Sequence, residues 1–278
     1  MSPSLPPNLR VLSSLPSDHS GFDLSSDRFV HALHRAEEGH FWYRARNAFL
    51  ARHLAFLGAS PPDRILDLGC GSGCVAAHLA RLGYRVTGVD GHLPLLRCAA
   101  QRAPEASFLL HDLAQGVAPL QTDGGTDIVG LFDVIEHLDD PALALRQALS
   151  LLRPGGLLVG TVPAMMALWS QVDVQAGHRL RYDPEGLHRL LASISGGWLL
   201  EILPFHRILV PMIWLQRRLV VKENDAAATS ERNLAIPPAP INWALEAALR
   251  WEDALHPWLC RMPLPGASLW FALRKEPG

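Results

Sequence analysis

Nine residues, Ile65-Leu66-Asp67-Leu68-Gly69-Cys70-Gly71-Ser72-Gly73, restrict the fold more than any other stretch. An apolar run suited to a buried strand meets glycine at every second position, a spacing that serves a sharp turn and little else. CVAAHLARLG follows with helical spacing, so the unit reads strand, turn, helix. RVTGVD, ASFLLHD, DIVGLFD and GLLVGTV are further short apolar runs, with helical text such as PALALRQALSLL between some of them. Parallel strands need crossover connections, so this alternation predicts an α/β fold with helices on both faces of a mostly parallel sheet. WLLEIL and SLWFALRK supply a sixth and a seventh strand.

The chain is longer than that sheet requires. Of 278 residues, 49% are hydrophobic and 19% charged, enough for a sizeable core. The alternating text occupies residues 61–204, closed by a last strand within 265–278. Residues 1–26, rich in Pro and Ser, read as a mobile arm, 27–60 as a helical cap and 205–264 as an insertion. No run of about 18 uninterrupted apolar residues is present, which argues against a spanning helix. Cys70, Cys74, Cys98 and Cys260 lack a second pair at zinc spacing, and Met1–Leu15 has no basic region followed by an apolar run. Reduced thiols and a cytoplasmic location are expected.

The glycine turn suits a nucleoside-like ligand, because a backbone without Cβ atoms allows close approach. Turn chemistry alone is the plainer alternative. The dinucleotide fingerprint G-x-G-x-x-G fails at Cys74, which weakens a nicotinamide-dependent oxidoreductase reading. Asp90 ends the next strand, where a carboxylate can accept both ribose hydroxyls, and Asp112 ends the one after. Either acid could instead cap the following helix. Residues 61–204 carry ten basic and fifteen acidic side chains, and the whole chain is near neutral at −2. That balance favours a cationic ligand over a phosphate-rich one and gives no field for nucleic acid.

Taken in order, these elements resemble the class I S-adenosylmethionine-dependent methyltransferases, with LLRPGGLLVGTVP similar to a late motif of that family. The resemblance implies a Rossmann-like three-layer αβα fold whose seven strands run 3-2-1-4-5-7-6, the seventh antiparallel. It implies S-adenosylmethionine as cofactor, with Asp67, Gly69, Cys70, Gly71 and Gly73 near its methionine end. Asp90 and Gly91 would lie at the ribose, Asp112 and Leu113 near the adenine, and Phe132 and Asp133 against the methionine arm. The text DVIEHL is similar to the segment after strand four in methyltransferases of small and lipophilic molecules. His137 is then a candidate general base, or a helix-start histidine bonded to nearby backbone. Asp133, Glu136 and His137 are a candidate divalent-metal set, similar to the E-x-x-E-H pattern of ubiquinone-type O-methyltransferases but with Asp first.

Two flanking segments look like a bacterial methyltransferase subgroup: residues 39–47 before the sheet, with His40, Trp42, Tyr43 and Arg44 as candidates, and residues 177–182 after strand five, with His178, Arg179, Arg181 and Tyr182. They have the composition of a lid gripping a polar or anionic acceptor group, and equally of helix packing with snorkelling arginines. Arg179 and Arg181 are expected to set acceptor affinity. In the insertion, Ile241, Leu245, Ala248, Leu249, Leu255 and Trp258 are expected to form one packed helical face, with Glu246, Arg250, Glu252 and Asp253 wet. Between the insertion's helices, NDAAATSERNLAIPPAP reads as a flexible loop. Trp214, Arg217, Arg218 and Lys222 fit a peripheral membrane contact through residues 205–222, while core packing or a dimer contact explains the same pattern. The resulting reading is a methyltransferase acting on a small-molecule or lipid-linked acceptor. Its rivals are a non-catalytic cofactor-binding or scaffold protein and a nicotinamide-dependent oxidoreductase.

Overall fold

Alternation along the strands sorts the core into two layers, one on each face of the sheet. Ile65 joins Phe49, Leu50, Leu79, Leu96, Phe108 and Trp270 on one face. Its neighbour Leu66 joins Leu145, Leu149, Leu187, Leu191 and Phe271 on the other. In the computed structural model, residues 5–13, 27–219, 234–259, 262 and 264–277 are described. The strands are β1 (Leu9–Val11), β2 (Arg64–Leu68), β3 (Arg85–Asp90), β4 (Ser107–Leu110), β5 (Thr126–Phe132), β6 (Leu152–Pro163), β7 (Gly197–Phe205) and β8 (Ser268–Lys275). They form one sheet in the order β1-β4-β3-β2-β5-β6-β8-β7. β8 pairs antiparallel with β6 and β7, and the remaining pairs are parallel.

The expected seven-strand order is present, and β1 adds an eighth strand at the edge. β1 falls inside the stretch read as a mobile arm. Asn8 explains the difference: its side-chain amide donates to the carbonyls of Ala100, Ala103 and Ala106 at 3.0–3.2 Å, and its own carbonyl accepts from Phe108 N–H at 2.7 Å. Leu9 is buried behind it. A three-residue strand has no period to read. Residues 1–4 and 14–26 of that arm lie outside the described residues.

Helices α1 (Asp27–Gly39), α2 (Phe41–Phe56), α3 (Cys74–Arg81) and α4 (Leu93–Arg102) lie toward the first face. α5 (Pro141–Ser150) and α7 (Pro184–Ala192) cover the second, and α6 (Gln171–Gln175) lies on the segment that follows β6. The insertion supplies α8 (Leu209–Leu219), α9 (Ala239–Ala254) and α10 (His256–Leu259). Leu209 and Leu249 pack on Phe41 and Ala45, which joins α8 and α9 to the cap.

The orientation of α9 corrects part of the expected face: Leu249 packs inward with Leu245 against it, as expected, and Arg250 is exposed, but the rest is turned. Asn242, Glu246, Leu249 and Glu252 are buried, whereas Ile241, Trp243, Trp251, Leu255 and Trp258 are exposed. Polar contacts decide it. Asn242 accepts from Phe41 N–H at 2.9 Å and donates to Gly39 O at 2.8 Å, bridging α1 and α2. Glu252 accepts from the backbone N–H groups of Arg207 and Ile208, at the entry to α8. Buried backbone donors left without partners cost more than exposing alanine and indole surface. The loop read over 224–240 lies largely outside the described residues, as do Cys260, Lys222 and the side chain of Arg218.

Candidate active site

At the carboxyl end of β2 the chain passes through Gly69, Gly71 and Gly73, all in the left-handed region with φ of 73°, 54° and 76°. The last two do different work. A Cβ on Gly73 would lie 2.7 Å from that of Ala99, so this glycine lets α3 pack on α4. A Cβ on Gly71 would meet nothing within 4 Å, so its backbone borders open space. Asp90 anchors the turn: Oδ2 accepts from Gly71 N–H at 2.9 Å and Oδ1 from His92 N–H at 2.8 Å. Cys70 turns its thiol into the core beneath Gly88, and burial raises its pKa far above the thiol range. Asp67 is 2% exposed, and its Oδ2 has no hydrogen-bond partner. Burial pushes its pKa up to about 7, with Asp90 adding and Arg46 opposing.

Arg46, within the segment ahead of the sheet but not among its candidate residues, reaches this turn from α2. Its Nη1 lies 2.8 Å from Asp133 Oδ2, and its guanidinium sits 4.9 Å from the Trp42 ring centre and 5.4 Å from that of Tyr43. The signal was available in the spacing, since residues three and four apart share a helix face. Glu37 of α1 bonds Ser72 of the turn and pairs with Arg102 of α4 at 2.6 Å, closing the cap over the glycines. Other expected residues have local tasks. His40 caps α2 by accepting from Trp42 N–H, and Arg44 pairs with Glu246 of the insertion at 3.0 Å. Asp112 accepts from Ala114 N–H, capping the short turn at Leu113–Gln115. Phe132 is buried, while Gly91 and Leu113 are half-buried beside the ends of β3 and β4.

The second half of the site follows β5. Asp133 holds φ of 58°, a strained value for a non-glycine residue, and donates its N–H to Thr161 O at 2.9 Å. The chain then turns Glu136 inward. Glu136 is fully buried, neither carboxylate oxygen has a hydrogen-bond partner, and burial with Asp133 nearby raises its pKa far above the carboxylate range. His137 faces His178 at 4.9 Å between ring centres. Burial and the neighbouring His178 lower its pKa to about 4, against a hydrogen bond with Gly177 backbone. Tyr182 is buried with its hydroxyl unpartnered, and burial and Glu136 push its pKa up to about 12.

Glu136, His137 and His178 each bring one ligand atom within 4.8 Å of the others, the arrangement of a candidate metal site among the described residues. Asp133, expected in that set, is held by Arg46 instead; His178 takes its place because the chain after β6 folds back over the β5 end. An orphaned carboxylate and two imidazoles suit zinc or manganese better than magnesium.

Asp173 organises the outer wall. It is fully buried and bonded by His178 Nδ1 at 3.0 Å, Arg181 Nε at 2.7 Å and Arg217 Nη1 at 3.4 Å. Burial opposes its ionisation, but those partners hold its pKa at about 2. Arg181 also donates to Ala164 O at 3.0 Å, so it is committed to the protein. Arg179 lies at the surface, paired with Asp139 at 2.8 Å. Arg181→Ala is therefore expected to destabilise by about 3 kcal/mol, as breaking a buried pair does. Arg179→Ala should stay within about 0.5 kcal/mol. Urea unfolding measures both; equal effects would contradict this division of roles.

Residues 41–194 match the family described as "Methyltransferase domain". The ubiquinone biosynthesis O-methyltransferase of Xanthomonas campestris pv. campestris strain B100 is 33% identical over 147 residues, covering 52% of this chain and 62% of that enzyme. Its counterpart in Caulobacter sp. strain K31 is 34% identical over 134 residues, covering 45% and 51%. The chain thus matches between half and two thirds of the length of these relatives. Among solved structures, the [4+2]-cyclase SpnF superposes with a TM-score of 0.59 at 18% identity, over 96% of this chain and all of that one. Phosphoethanolamine N-methyltransferase 2 of Haemonchus contortus, in complex with S-adenosyl-L-methionine, gives 0.56 at 17% identity, covering 95% and 61%. With over half its length matched to one family, and with the glycine turn, the acid ending β3 and the strand order in place, the chain belongs to the class I S-adenosylmethionine-dependent methyltransferases.

Proposed function

We propose that the protein transfers the methyl group of S-adenosylmethionine to a hydroxyl oxygen of a small, lipophilic or lipid-linked acceptor. The observation that carries this reading is the pairing of two unlike halves around the ends of β2 and β5. Asp67 and Arg46 offer opposite charges beside an open glycine, while Glu136, His137 and His178 cluster on the far side of Asp133. Bound S-adenosylmethionine supplies a methyl carbon made electrophilic by its sulfonium.

The orphaned Asp67 oxygen fits an ammonium, and Arg46 fits the carboxylate at the same end of the cofactor. Asp90 would exchange its bond to the turn for the ribose hydroxyls. His137 is neutral at physiological pH, and with one ring nitrogen bonded toward Gly177 the other is left to take the acceptor's hydroxyl proton. The two halves hold acceptor and methyl donor in line and exclude water, which is most of what methyl transfer requires. If Glu136, His137 and His178 hold a divalent ion, that ion would lower the pKa of the same hydroxyl. The O-methyltransferase relatives support oxygen as the receiving atom.

S-adenosylhomocysteine is expected to raise the melting temperature and NAD to leave it unchanged. Incubating the protein with methyl-labelled cofactor and a lysate of its source, then extracting with organic solvent, should place label in the lipophilic fraction on oxygen. Label on nitrogen or carbon overturns the acceptor reading. Stabilisation by S-adenosylhomocysteine with no labelled product favours a binding protein without activity.

A further inference from the structure

Besides the leucines that pack on the cap, the insertion presents a second apolar surface outward. Among the described residues of 205–265, Gln216 and Arg250 are the only polar side chains that are exposed. Ile208, Met212, Trp214, Leu215, Trp243, Trp251, Leu255 and Trp258 are each between 41% and 71% exposed. On α9 the arc through Trp243, Ala244, Ala247, Trp251, Ala254 and Leu255 carries no charge. A soluble monomer rarely exposes so continuous an apolar surface.

The carboxylates of this region face the protein. Glu246 pairs with Arg44 at 3.0 Å and Arg250 at 2.8 Å. Glu252 is held by backbone N–H groups, and Asp253 pairs with Arg52 at 3.3 Å and His53 at 3.4 Å. The outward side therefore offers no described carboxylate, and its exposed charges, Arg250 with Arg44 beside it, are cationic. A coiled-coil seam repeats Leu and Ile at heptad spacing, whereas the α9 arc is mainly indole and alanine. Indole has an apolar body and a polar N–H, which suits the boundary between headgroups and acyl chains.

We propose that α9 and α10, with the outward side of α8, seat the protein on an anionic membrane surface. No described helix is long and apolar enough to cross a membrane, so the contact is lateral. This assignment keeps Trp214 from the residues expected to make the contact but not Arg217, which turns inward to Asp173; the tryptophans of α9 and α10 join it. α8 then has two roles: Trp214 and Leu215 lie on the membrane side, and Arg217 lies on the wall that holds His178. A lipid-borne acceptor would reach the site along that helix.

The test uses the full chain with vesicles of phosphatidylcholine, with and without 30% phosphatidylglycerol, a composition of the order that anionic surface potentials require. Neither cofactor nor acceptor is added, so the outcome is independent of the methyl-transfer reading. Co-sedimentation with the anionic vesicles is expected, with a blue shift of tryptophan emission. The W243E/W251E variant should lose about tenfold or more of the partition at an unchanged melting temperature. W251E alone should lose part of it and serves if the double variant melts early. Wild-type protein left in the supernatant with both vesicle types overturns the proposal, as does equal binding by W251E. A wild-type dimer in light scattering that W251E splits into monomers also overturns it, and assigns the face to a second copy of the chain.

Discussion

An R46M variant is expected to bind S-adenosylhomocysteine about a hundredfold more weakly at pH 7.5, the loss that follows when one side of a desolvated charge pair is removed. Arg46 acts twice. It offers the guanidinium to the ligand's carboxylate, and it opposes the rise in the Asp67 pKa, which burial and Asp90 drive to about 7. An ammonium needs Asp67 ionised, so wild-type affinity should increase as pH rises through about 7 and level off above it. Without Arg46 the Asp67 pKa moves higher, and the rise in affinity should shift to more alkaline pH. Calorimetry from pH 6 to 8.5 reads both effects. D67N should give weak, pH-independent binding over that range. Unchanged affinity in R46M would mean that Arg46 serves only to hold Asp133 and the cap.

His137→Ala is expected to lower kcat by about a hundredfold or more, the range for a general base, while leaving S-adenosylhomocysteine affinity within about twofold. With a pKa near 4, His137 stays in its base form through the neutral range, so its titration should not shape the wild-type rate between pH 6 and 8. Loss of activity would begin only as pH falls toward 5 and below. A chelator separates the two roles of the cluster. If wild-type activity survives chelation, His137 acts as a base. If it is lost and returns with zinc or manganese, the Glu136, His137 and His178 set holds the ion. A His137→Ala enzyme of normal kcat would remove both roles.

The elements that sequence reading recovered share one property: their signals are local. A strand buried on both faces must be apolar, a tight turn must use glycine, and an acid at a strand end needs only its own neighbours to be recognised. The places of Asp67, Gly71 and Asp90 at the strand ends and the glycine turn were legible for that reason. The tasks of Arg46 and of His178 within the cluster were not, because each depends on a partner far along the chain: Asp133 for Arg46 and Glu136 for His178. For Arg181 and Arg44 composition left a ligand-gripping and a packing role equally open, and tertiary contacts commit one to a buried carboxylate and the other to the insertion.

The same distinction runs through the insertion. The sequence by itself determined that α9 would be a helix with one apolar and one charged side, since that follows from period alone. Which side turns inward was decided by tertiary structure. The cap presents the backbone and side-chain groups of Gly39, Phe41 and Arg44, and the start of α8 presents two N–H donors. Only the polar side of α9 can satisfy them, and an unsatisfied buried polar group costs more than exposed indole. Periodicity measures contrast between faces; direction depends on what the neighbours require.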